Sequence, residues 1–224
     1  MKIDVLTLFP EYFDVLNSGI IGKALDKELF KVNIHNIRDF STDKHKRCDD
    51  YPYGGGAGMV MTPQPIYDAI NAIDKDHKAK RIYMSPRGKV LNQNTVIELS
   101  RETDLIILCG SYEGVDQRVI DICIDMEISI GDYILTSGEI PALIIINTIA
   151  RYIPDVLGSA DSLLSESFNN DMLEYPQFTR PQEFMGKSVP EVLVNGNHKL
   201  IEDYRMKQQQ AITSERRPDL TVKK

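Results

Sequence analysis

Two glycine-containing segments each follow an apolar run, and this pattern limits the chain to few folds. The first segment is Leu108–Asp116, which completes an apolar run that begins at Asp104, and the second is Ser129–Leu135. A short apolar run that ends in a glycine turn is typical of a strand buried in a parallel sheet. Small molecules bind at the carboxyl ends of such strands, where main-chain groups are free to face a ligand. The two segments therefore predict a cavity built largely from main chain.

Strand-like and helix-like segments alternate through the first two thirds of the chain. The predicted strands are Lys2–Leu8, Phe30–Ile37, Arg81–Met84, Asp104–Cys109 and Ile128–Ile130. The predicted helices are Pro63–Lys75, with Thr62 as its N-cap, Asn92–Arg101, Val115–Ile124 and Gly138–Tyr152. This order predicts an α/β fold with a mostly parallel sheet covered by helices on both faces.

The character of the chain changes after Pro154, where Gly, Ser, Asn and acidic residues become frequent. We predict a domain at 1–157, a flexible linker at 158–172 and a small C-terminal helical domain at 173–224. Asn197 is the predicted N-cap of the helix in that last domain.

Charge and cysteine usage exclude several classes of protein. The net charge of −7 argues against binding nucleic acid by bulk electrostatics, although local basic patches are still effective. The three cysteines have no metal-ligand spacing, so we predict no metal site and reduced thiols in a cytoplasmic protein. The start of the chain lacks the pattern of a signal peptide, and Ile140–Ile149 is too short for a membrane span, which predicts no membrane contact.

A glycine-rich run, Tyr53–Met59, lies beside the basic cluster Lys44–Arg47. Glycines let backbone N–H groups approach a phosphate closely, and nearby cations favour a phosphodiester. The alternatives are a set of tight turns and a solvated charge run. The segment from Asp39 to Met61 is long for a mere connection, and such loops are often functional.

Several motifs occur in the order that is typical of one enzyme family. They are Phe9-Pro10, Asp39-Phe40, Asp49–Met59, Ser85-Pro86, Cys109–Asp116, Ser129–Leu135, Gly138-Glu139, Arg151–Pro154, Val156–Gly158, Thr179–Pro181 and Gly196–His198. On these residues the chain resembles the bacterial tRNA (guanine-N1)-methyltransferases of the SPOUT superfamily. The resemblance covers nearly the whole chain and implies a trefoil-knotted α/β domain.

The resemblance also implies S-adenosylmethionine as methyl donor and tRNA as acceptor, at N1 of guanosine 37 beside the anticodon. It implies a homodimer whose active site lies between subunits. The implied cofactor-binding residues are Tyr83, Met84, Ser85, Pro86, Gly110, Tyr112, Glu113, Gly114, Ser129, Ile130, Gly131, Asp132, Tyr133, Ile134, Leu135 and Gly138. The implied tRNA-binding residues are Lys46, Arg47, Asp49, Gly54 and Gly55. The resemblance implies that the domain at 1–157 binds the cofactor and carries the methyl transfer, and that the shortened domain at 173–224 binds tRNA. The sequence does not decide whether Mg²⁺ assists the methyl transfer.

Two residues match the catalytic positions of the family. Arg151 corresponds to an arginine that stabilises charge on guanine O6, because a guanidinium stays protonated and offers several donors. Glu166 occupies the position of the general base, where the family usually has aspartate. Glu113 and Asp49 match positions expected to contact Arg151 or the target guanine, or they form structural ion pairs.

The other departures from the family pattern are Ser137, Ala57 and a shortened tail after Pro218. Glu166 and the shortened tail leave an alternative from another class of protein, a knotted tRNA-binding protein with weak or no catalysis.

Overall fold

The computed structural model describes residues 1–158 and 166–221. The chain divides into two compact units, Met1–Gly158 and Ser159–Lys224. Most of the predicted linker, residues 159–165, lies outside the described residues, as do residues 222–224.

The N-terminal unit contains a five-stranded sheet in which every pairing is parallel, in the order β2-β1-β6-β5-β7. Its strands are β1 (Lys2–Thr7), β2 (Lys31–Asn36), β5 (Lys80–Val90), β6 (Asp104–Cys109) and β7 (Met126–Ser129); a separate antiparallel pair is β3 (Asp49–Asp50) and β4 (Val60–Met61). Its helices are α1 (Gly19–Asp26), α2 (Pro63–Ile73), α3 (Gln93–Leu99), α4 (Gln117–Cys123) and α5 (Glu139–Ala150), with 3-10 helices at Pro10–Asn17 and Ile37–Phe40. The predicted α/β fold with a mostly parallel sheet is confirmed.

Successive residues of the central strand β6 alternate between two hydrophobic clusters. Leu105 and Ile107 pack with α1, α3 and α5 on one face of the sheet. Ile106 and Leu108 pack with α2 and α4 on the other. Because a strand points successive side chains to opposite faces, a continuously apolar strand must be covered on both sides. This arrangement fixes the carboxyl ends of β5, β6 and β7 side by side.

Strand β5 is longer than the predicted Arg81–Met84. The sequence predicts an end at Ser85-Pro86, yet the strand continues to Val90. Both Met84 and Lys89 pair with Ile128 of β7, so the intervening residues loop out and the chain returns to the same partner. A Cβ at Gly88 would lie 2.4 Å from the Glu127 carbonyl carbon, so only glycine fits where the strand returns.

Three of the four predicted helices begin within one residue of the predicted start, and α4 begins two residues later than predicted, at Gln117. Asn92 caps α3 by accepting a hydrogen bond from the Thr95 N–H at 3.0 Å. Thr62 occupies the N-cap position of α2, as predicted, but its side chain makes no capping hydrogen bond. Pro63, at the first helical position of α2, has a backbone φ suited to a helix start, and Pro65, at the third position, lacks an N–H that a cap could satisfy.

The C-terminal unit contains the hairpin β8 (Glu183–Phe184) and β9 (Lys187–Ser188), the helix α6 (His198–Arg216) and 3-10 helices at Asn169–Asp171, Glu191–Leu193 and Pro218–Leu220. Asn197 caps α6 by accepting from the Leu200 N–H, as predicted. Among the described residues of this unit, only Thr213 is buried. Within the described ranges of the whole chain, every helix falls short of what a membrane span requires.

Candidate active site

A cavity of about 520 Å³ lies at the carboxyl ends of β5, β6 and β7. One wall is the loop that leaves and rejoins β5, the second follows β6, and the third runs from the end of β7 to the start of α5. Three strand-end loops thus meet at one edge of the parallel sheet, where ligands of open α/β folds bind.

Glycines let the main chain form these walls at close range. The Gly138 N–H donates to the Gly110 carbonyl at 2.8 Å, which joins the third wall to the second. A Cβ at Gly138 would lie 2.8 Å from both Cys109 Cα and Gly110 N, which are backbone atoms at the end of the central strand. A Cβ at Gly110 would lie 2.8 Å from the Tyr83 ring. Neither position therefore has room for a side chain without a shift of its neighbours.

The turn after β7 is held by its own residues. The Ser129 hydroxyl donates to the Gly131 carbonyl at 3.0 Å and accepts from the Gly131 N–H at 3.2 Å. Gly131 has φ +149° and Gly114, in the second wall, has φ +134°, values that L side chains rarely adopt. These two glycines therefore set the direction of the chain where it borders the cavity.

Nearly every residue expected to bind the cofactor lines this cavity. The lining includes Tyr83, Met84, Ser85, Pro86, Gly110, Tyr112, Glu113, Gly114, Ser129, Ile130, Gly131, Tyr133, Ile134, Leu135 and Gly138. Asp132 is absent from the lining, although its neighbours on both sides belong to it. The structure adds seven residues that sequence reasoning did not select, namely Arg87, Ser111, Val115, Ile128, Thr136, Ser137 and Pro141.

Arg87 is the lining residue whose chemistry matters most among those additions. It is the one Lys or Arg among the described residues of the lining. Its Nη2 donates to Gln117 Oε1 at 3.0 Å and lies 3.7 Å from Glu127 Oε2. These partners hold a largely exposed guanidinium at the edge of the cavity, where it can meet a ligand anion.

The glycine-rich loop is attached directly to the second wall of the cavity. The Glu113 N–H donates to the Met59 carbonyl at 3.0 Å, and the Met61 N–H donates to the Gly114 carbonyl at 2.9 Å. A third backbone hydrogen bond runs from the Asp116 N–H to the Met61 carbonyl at 3.0 Å and completes a short ladder between the two segments. The loop that sequence reasoning assigned to tRNA and the wall assigned to the cofactor are therefore one hydrogen-bonded piece.

The residues expected to contact tRNA occupy this loop and its base. Asp49 pairs with Met61 between β3 and β4, whereas Gly54 and Gly55 are exposed at the loop tip with positive φ. Tyr53 beside them is 99% exposed, an aromatic face that sequence reasoning did not select. Exposed aromatic rings are the groups on which nucleobases stack.

The basic cluster is partly neutralised by its own neighbours. Arg47 forms an ion pair with Asp43, with Nη2 3.0 Å from Oδ2. Hydrogen bonds from the Arg47 side chain and from the backbone N–H groups of His45 and Arg47 hold the pKa of Asp43 far below its usual range. The Lys46 Nζ donates to the Ser41 carbonyl at 3.4 Å. Arg47 is nevertheless 71% exposed, so its guanidinium is available to a phosphate.

Comparison with known proteins identifies the family. A family model described as tRNA (Guanine-1)-methyltransferase TrmD matches residues 1–223. The chain belongs to this tRNA (guanine-1)-methyltransferase family. It is 54% identical over 223 residues to the tRNA (guanine-N(1)-)-methyltransferase of Clostridium botulinum strain Hall, covering 100% of this chain and 92% of the relative.

Two further relatives bear the same name. The protein of Clostridium novyi strain NT is 54% identical over 220 residues, which covers 98% of this chain and 91% of the relative. That of Clostridium perfringens strain ATCC 13124 is 53% identical over 223 residues, which covers 100% of this chain and 94% of the relative. The resemblance drawn from the sequence motifs is confirmed.

The two residues assigned to catalysis in this tRNA (guanine-1)-methyltransferase family member fall in different units. Arg151 is the C-cap of α5 in the N-terminal unit and is half-buried. Glu166 is half-buried in the C-terminal unit, at the start of the second described range. Their catalytic roles stay predictions.

The cysteines are buried and cannot serve as nucleophiles in this family member. Cys48, Cys109 and Cys123 are all free and buried. Burial raises the pKa of each thiol, and for Cys109 the nearby Glu139 carboxylate raises it further. A thiol with a raised pKa stays protonated near neutral pH and is unreactive. Cys109 belongs to one hydrophobic cluster of the N-terminal unit, and Cys123 belongs to the other.

Proposed function

We propose that this protein transfers a methyl group from S-adenosylmethionine to N1 of guanosine 37 of tRNA, next to the anticodon, in the cytoplasm. The observation that carries the proposal is the family match across residues 1–223. Relatives that share just over half of their residues with this chain bear the name tRNA (guanine-N(1)-)-methyltransferase. The cavity supplies an independent argument for the cofactor.

S-adenosylmethionine fits the cavity in size and in chemistry. A volume of about 520 Å³ lies within the range of small-molecule sites. At Gly110 and Gly138 the walls approach so closely that a Cβ would collide with them, which brings main-chain groups to the edge of the cavity, where they can contact a flat adenosyl group. When bound, the cofactor supplies an electrophilic methyl group on a sulfonium. We assign its carboxylate to Arg87, the one cation among the described lining residues.

Glu166 and Arg151 carry the chemistry at the guanine in this proposal. N1 of guanine bears a proton that must leave as the new N–C bond forms, and the Glu166 carboxylate accepts it. Negative charge then develops on O6, and the Arg151 guanidinium donates hydrogen bonds to that oxygen. Glutamate is one methylene longer than the aspartate usual in the family, and such a difference in position changes a rate more readily than a mechanism.

The tRNA is assigned to the surface beside the cavity. Lys46 and Arg47 neutralise phosphates, and the exposed backbone of Gly54 and Gly55 lies beside the same strand of RNA. Asp49 pairs with Met61 on one side of the segment from Met59 to Met61, and the Glu113 N–H bonds to Met59 on that segment. We assign one of these two carboxylates to the guanine edge.

A homodimer with the active site between subunits is part of the proposal. Helix α5 buries Ile145, Ile146 and Ile149, but Ile140 and Ile144 on the same helix are 45% and 36% exposed. An apolar stripe left uncovered in one chain is typical of a surface that packs against a second copy.

The experiment is methyl transfer from labelled S-adenosylmethionine to an unmodified tRNA with two guanosines at the 3′ edge of the anticodon. Mass spectrometry identifies the modified nucleoside, and we expect 1-methylguanosine. Glu166→Gln should keep cofactor and tRNA affinity and lose roughly a hundredfold or more in rate, the usual contribution of a general base. Glu166→Asp should stay active, and Glu191→Gln is the matched control.

Three outcomes contradict parts of this proposal. Wild-type turnover in Glu166→Gln would remove Glu166 as base and point to Asp171 or to water. Tight binding of tRNA and cofactor by the wild type without any product would support the alternative, a tRNA-binding protein without catalysis. Arg151→Ala should also slow the single-turnover rate strongly, and a normal rate would remove it from the mechanism.

A further inference from the structure

A second cavity of about 420 Å³ lies within the C-terminal unit. Its walls come from the extended segment that begins at Tyr175, from the residues around the 3-10 helix Glu191–Leu193, and from the first half of α6. No residue of this cavity belongs to the site described above.

The walls combine aromatic rings with guanidinium groups. Tyr175, Phe178 and Tyr204 supply three rings, and Arg180 and Arg205 supply two positive charges. Among the described residues that line the cavity, none is acidic. The Arg205 guanidinium carbon lies 4.7 Å from the centre of the Tyr175 ring, a cation–π contact that holds the charge beside an apolar face.

This combination selects a ligand that is flat on one side and anionic on the other. Aromatic rings and guanidinium planes bind nucleobases by stacking, and guanidinium groups bind phosphates with several donors. The volume also falls within the range for ligands of nucleotide size. Phe178 is 45% exposed, so its ring is accessible from outside.

We infer that this cavity binds one unpaired nucleotide of the tRNA substrate, with the base against Phe178 and its phosphate at Arg180. The inference rests on the proposed function, because that function supplies the RNA. A base inside a stem is stacked on both faces and paired along one edge, so it cannot enter a concave site. The occupant is therefore a loop or bulge nucleotide. The cavity therefore adds a contact to tRNA that is separate from the reacting guanosine.

The first test measures the affinity of the full-length chain for an unmodified tRNA transcript. Phe178→Ala should weaken binding roughly tenfold, since stacking on one aromatic ring is worth about 1–3 kcal/mol. Arg180→Gln should lower the slope of log K against log salt by about 0.7, the value for one phosphate contact on a single strand. Phe178→Trp should restore binding, which a merely structural role would not predict.

Matched controls come from the same unit. Phe184 is 66% exposed on β8 and Arg216 lies near the end of α6, and neither lines the cavity. Phe184→Ala and Arg216→Gln should bind tRNA like the wild type. If the cavity variants and these controls give equal affinities and salt slopes, the inference is wrong.

A second test identifies the occupant directly. A photoreactive benzoylphenylalanine at position 178 should cross-link to one loop nucleotide of the tRNA. Cross-links confined to a helical stem, or to a protein instead of RNA, would overturn the inference. Methyl transfer separates the two hypotheses. A wild type that binds tRNA but forms no 1-methylguanosine counts against the proposed function, while the affinities and the cross-link still decide the inference about this cavity.

Discussion

The lining of the cavity in the N-terminal unit contains four glycines and one guanidinium group, whereas the described lining of the cavity in the C-terminal unit contains no glycine and two guanidinium groups. The first cavity lies where loops leave three neighbouring strands of the sheet, and its glycines bring main-chain groups to its edge. The second lies between an extended segment and the first half of α6. We therefore expect the first site to recognise its ligand chiefly through main-chain hydrogen bonds, and the second through stacking and charge.

The two units also differ in how many of their residues are buried. Two hydrophobic clusters cover both faces of the sheet in the N-terminal unit. In the C-terminal unit, Thr213 is the one buried residue among those described. We therefore expect the first unit to lose structure cooperatively and the second to open locally at lower free energy.

The largest expected effect is at Gly138. Gly138→Val places side-chain atoms against the backbone of Cys109 and Gly110, which cannot move without distorting β6. We expect the affinity for S-adenosylmethionine to fall roughly a hundredfold or more, measured by calorimetry. Gly158→Ala is the control, because a Cβ there meets nothing within 4 Å. Normal affinity in Gly138→Val would mean that the main-chain wall is not rigid.

Asp74→Asn tests the stability of the N-terminal unit. Asp74 Oδ2 lies 3.0 Å from Arg81 Nη2, and both side chains are nearly buried. Removing the charge leaves a buried guanidinium with a weaker partner, so we expect the free energy of unfolding to fall by about 2 kcal/mol at pH 7. Asp76→Asn, which loses only an exposed ion pair with Lys78, should unfold like the wild type.

The same pair predicts a pH dependence. Burial opposes ionisation of Asp74, but hydrogen bonds from the Lys78 and Ala79 N–H groups and from Arg81 outweigh it, so its pKa lies below the ordinary 3.8. The stabilisation is therefore complete above that ordinary value and is lost as the pH falls through the lowered pKa. Urea unfolding should find the difference between wild type and Asp74→Asn constant near neutrality and shrinking in acid. A difference that grows in acid would contradict this sign.

Thr213→Val should affect the C-terminal unit alone. The Thr213 hydroxyl accepts from the Leu173 N–H at 2.9 Å and donates to the Gln209 carbonyl at 2.6 Å. Valine keeps the shape but leaves the Leu173 N–H without its acceptor, at a cost of about 1 kcal/mol.

Hydrogen exchange checks this expectation. The amide of Leu173 and those of α6 should exchange faster in Thr213→Val, whereas the amides of β6 should not change. Thr148→Val is the control, because that hydroxyl donates only to carbonyls of its own helix. Faster exchange in β6 would mean that the two units are not separate in stability.

The smallest expected effect is at Arg87, the side-chain contribution to the main-chain cavity. Arg87→Gln should raise the KM for S-adenosylmethionine several-fold and leave kcat unchanged, since one exposed charge–carboxylate contact is worth about 1 kcal/mol. Arg101→Gln, outside the cavity, is the control. An unchanged KM would remove Arg87 from the cofactor site.

Much of the sheet was predictable because its signals are local. The run Asp104–Cys109 is continuously apolar and ends in glycine, so its burial follows from its composition. The extension of β5 was not predictable, since Pro86 ends a regular strand locally and nothing in the sequence indicates that the chain returns to Ile128. The knot belongs to the resemblance and stays a prediction.

The cavities differ in predictability for a related reason. The walls of the first follow strand ends, so glycine segments identified them, whereas Arg87 was missed because a charged residue after a proline is typical of an ordinary loop. The second cavity joins Tyr175 to Arg205 across segments with no shared period, and sequence patterns give no sign of it. Glu166 could be assigned as the general base only from the resemblance to the enzyme family.

The burial of the cysteines provides a built-in reporter. All three thiols of the chain lie in the N-terminal unit, and each is shielded by packing. A thiol-reactive dye should therefore label the protein only when that unit opens, without any engineered probe. Opening of the C-terminal unit should go undetected, so labelling kinetics separate the two units in a single untagged sample.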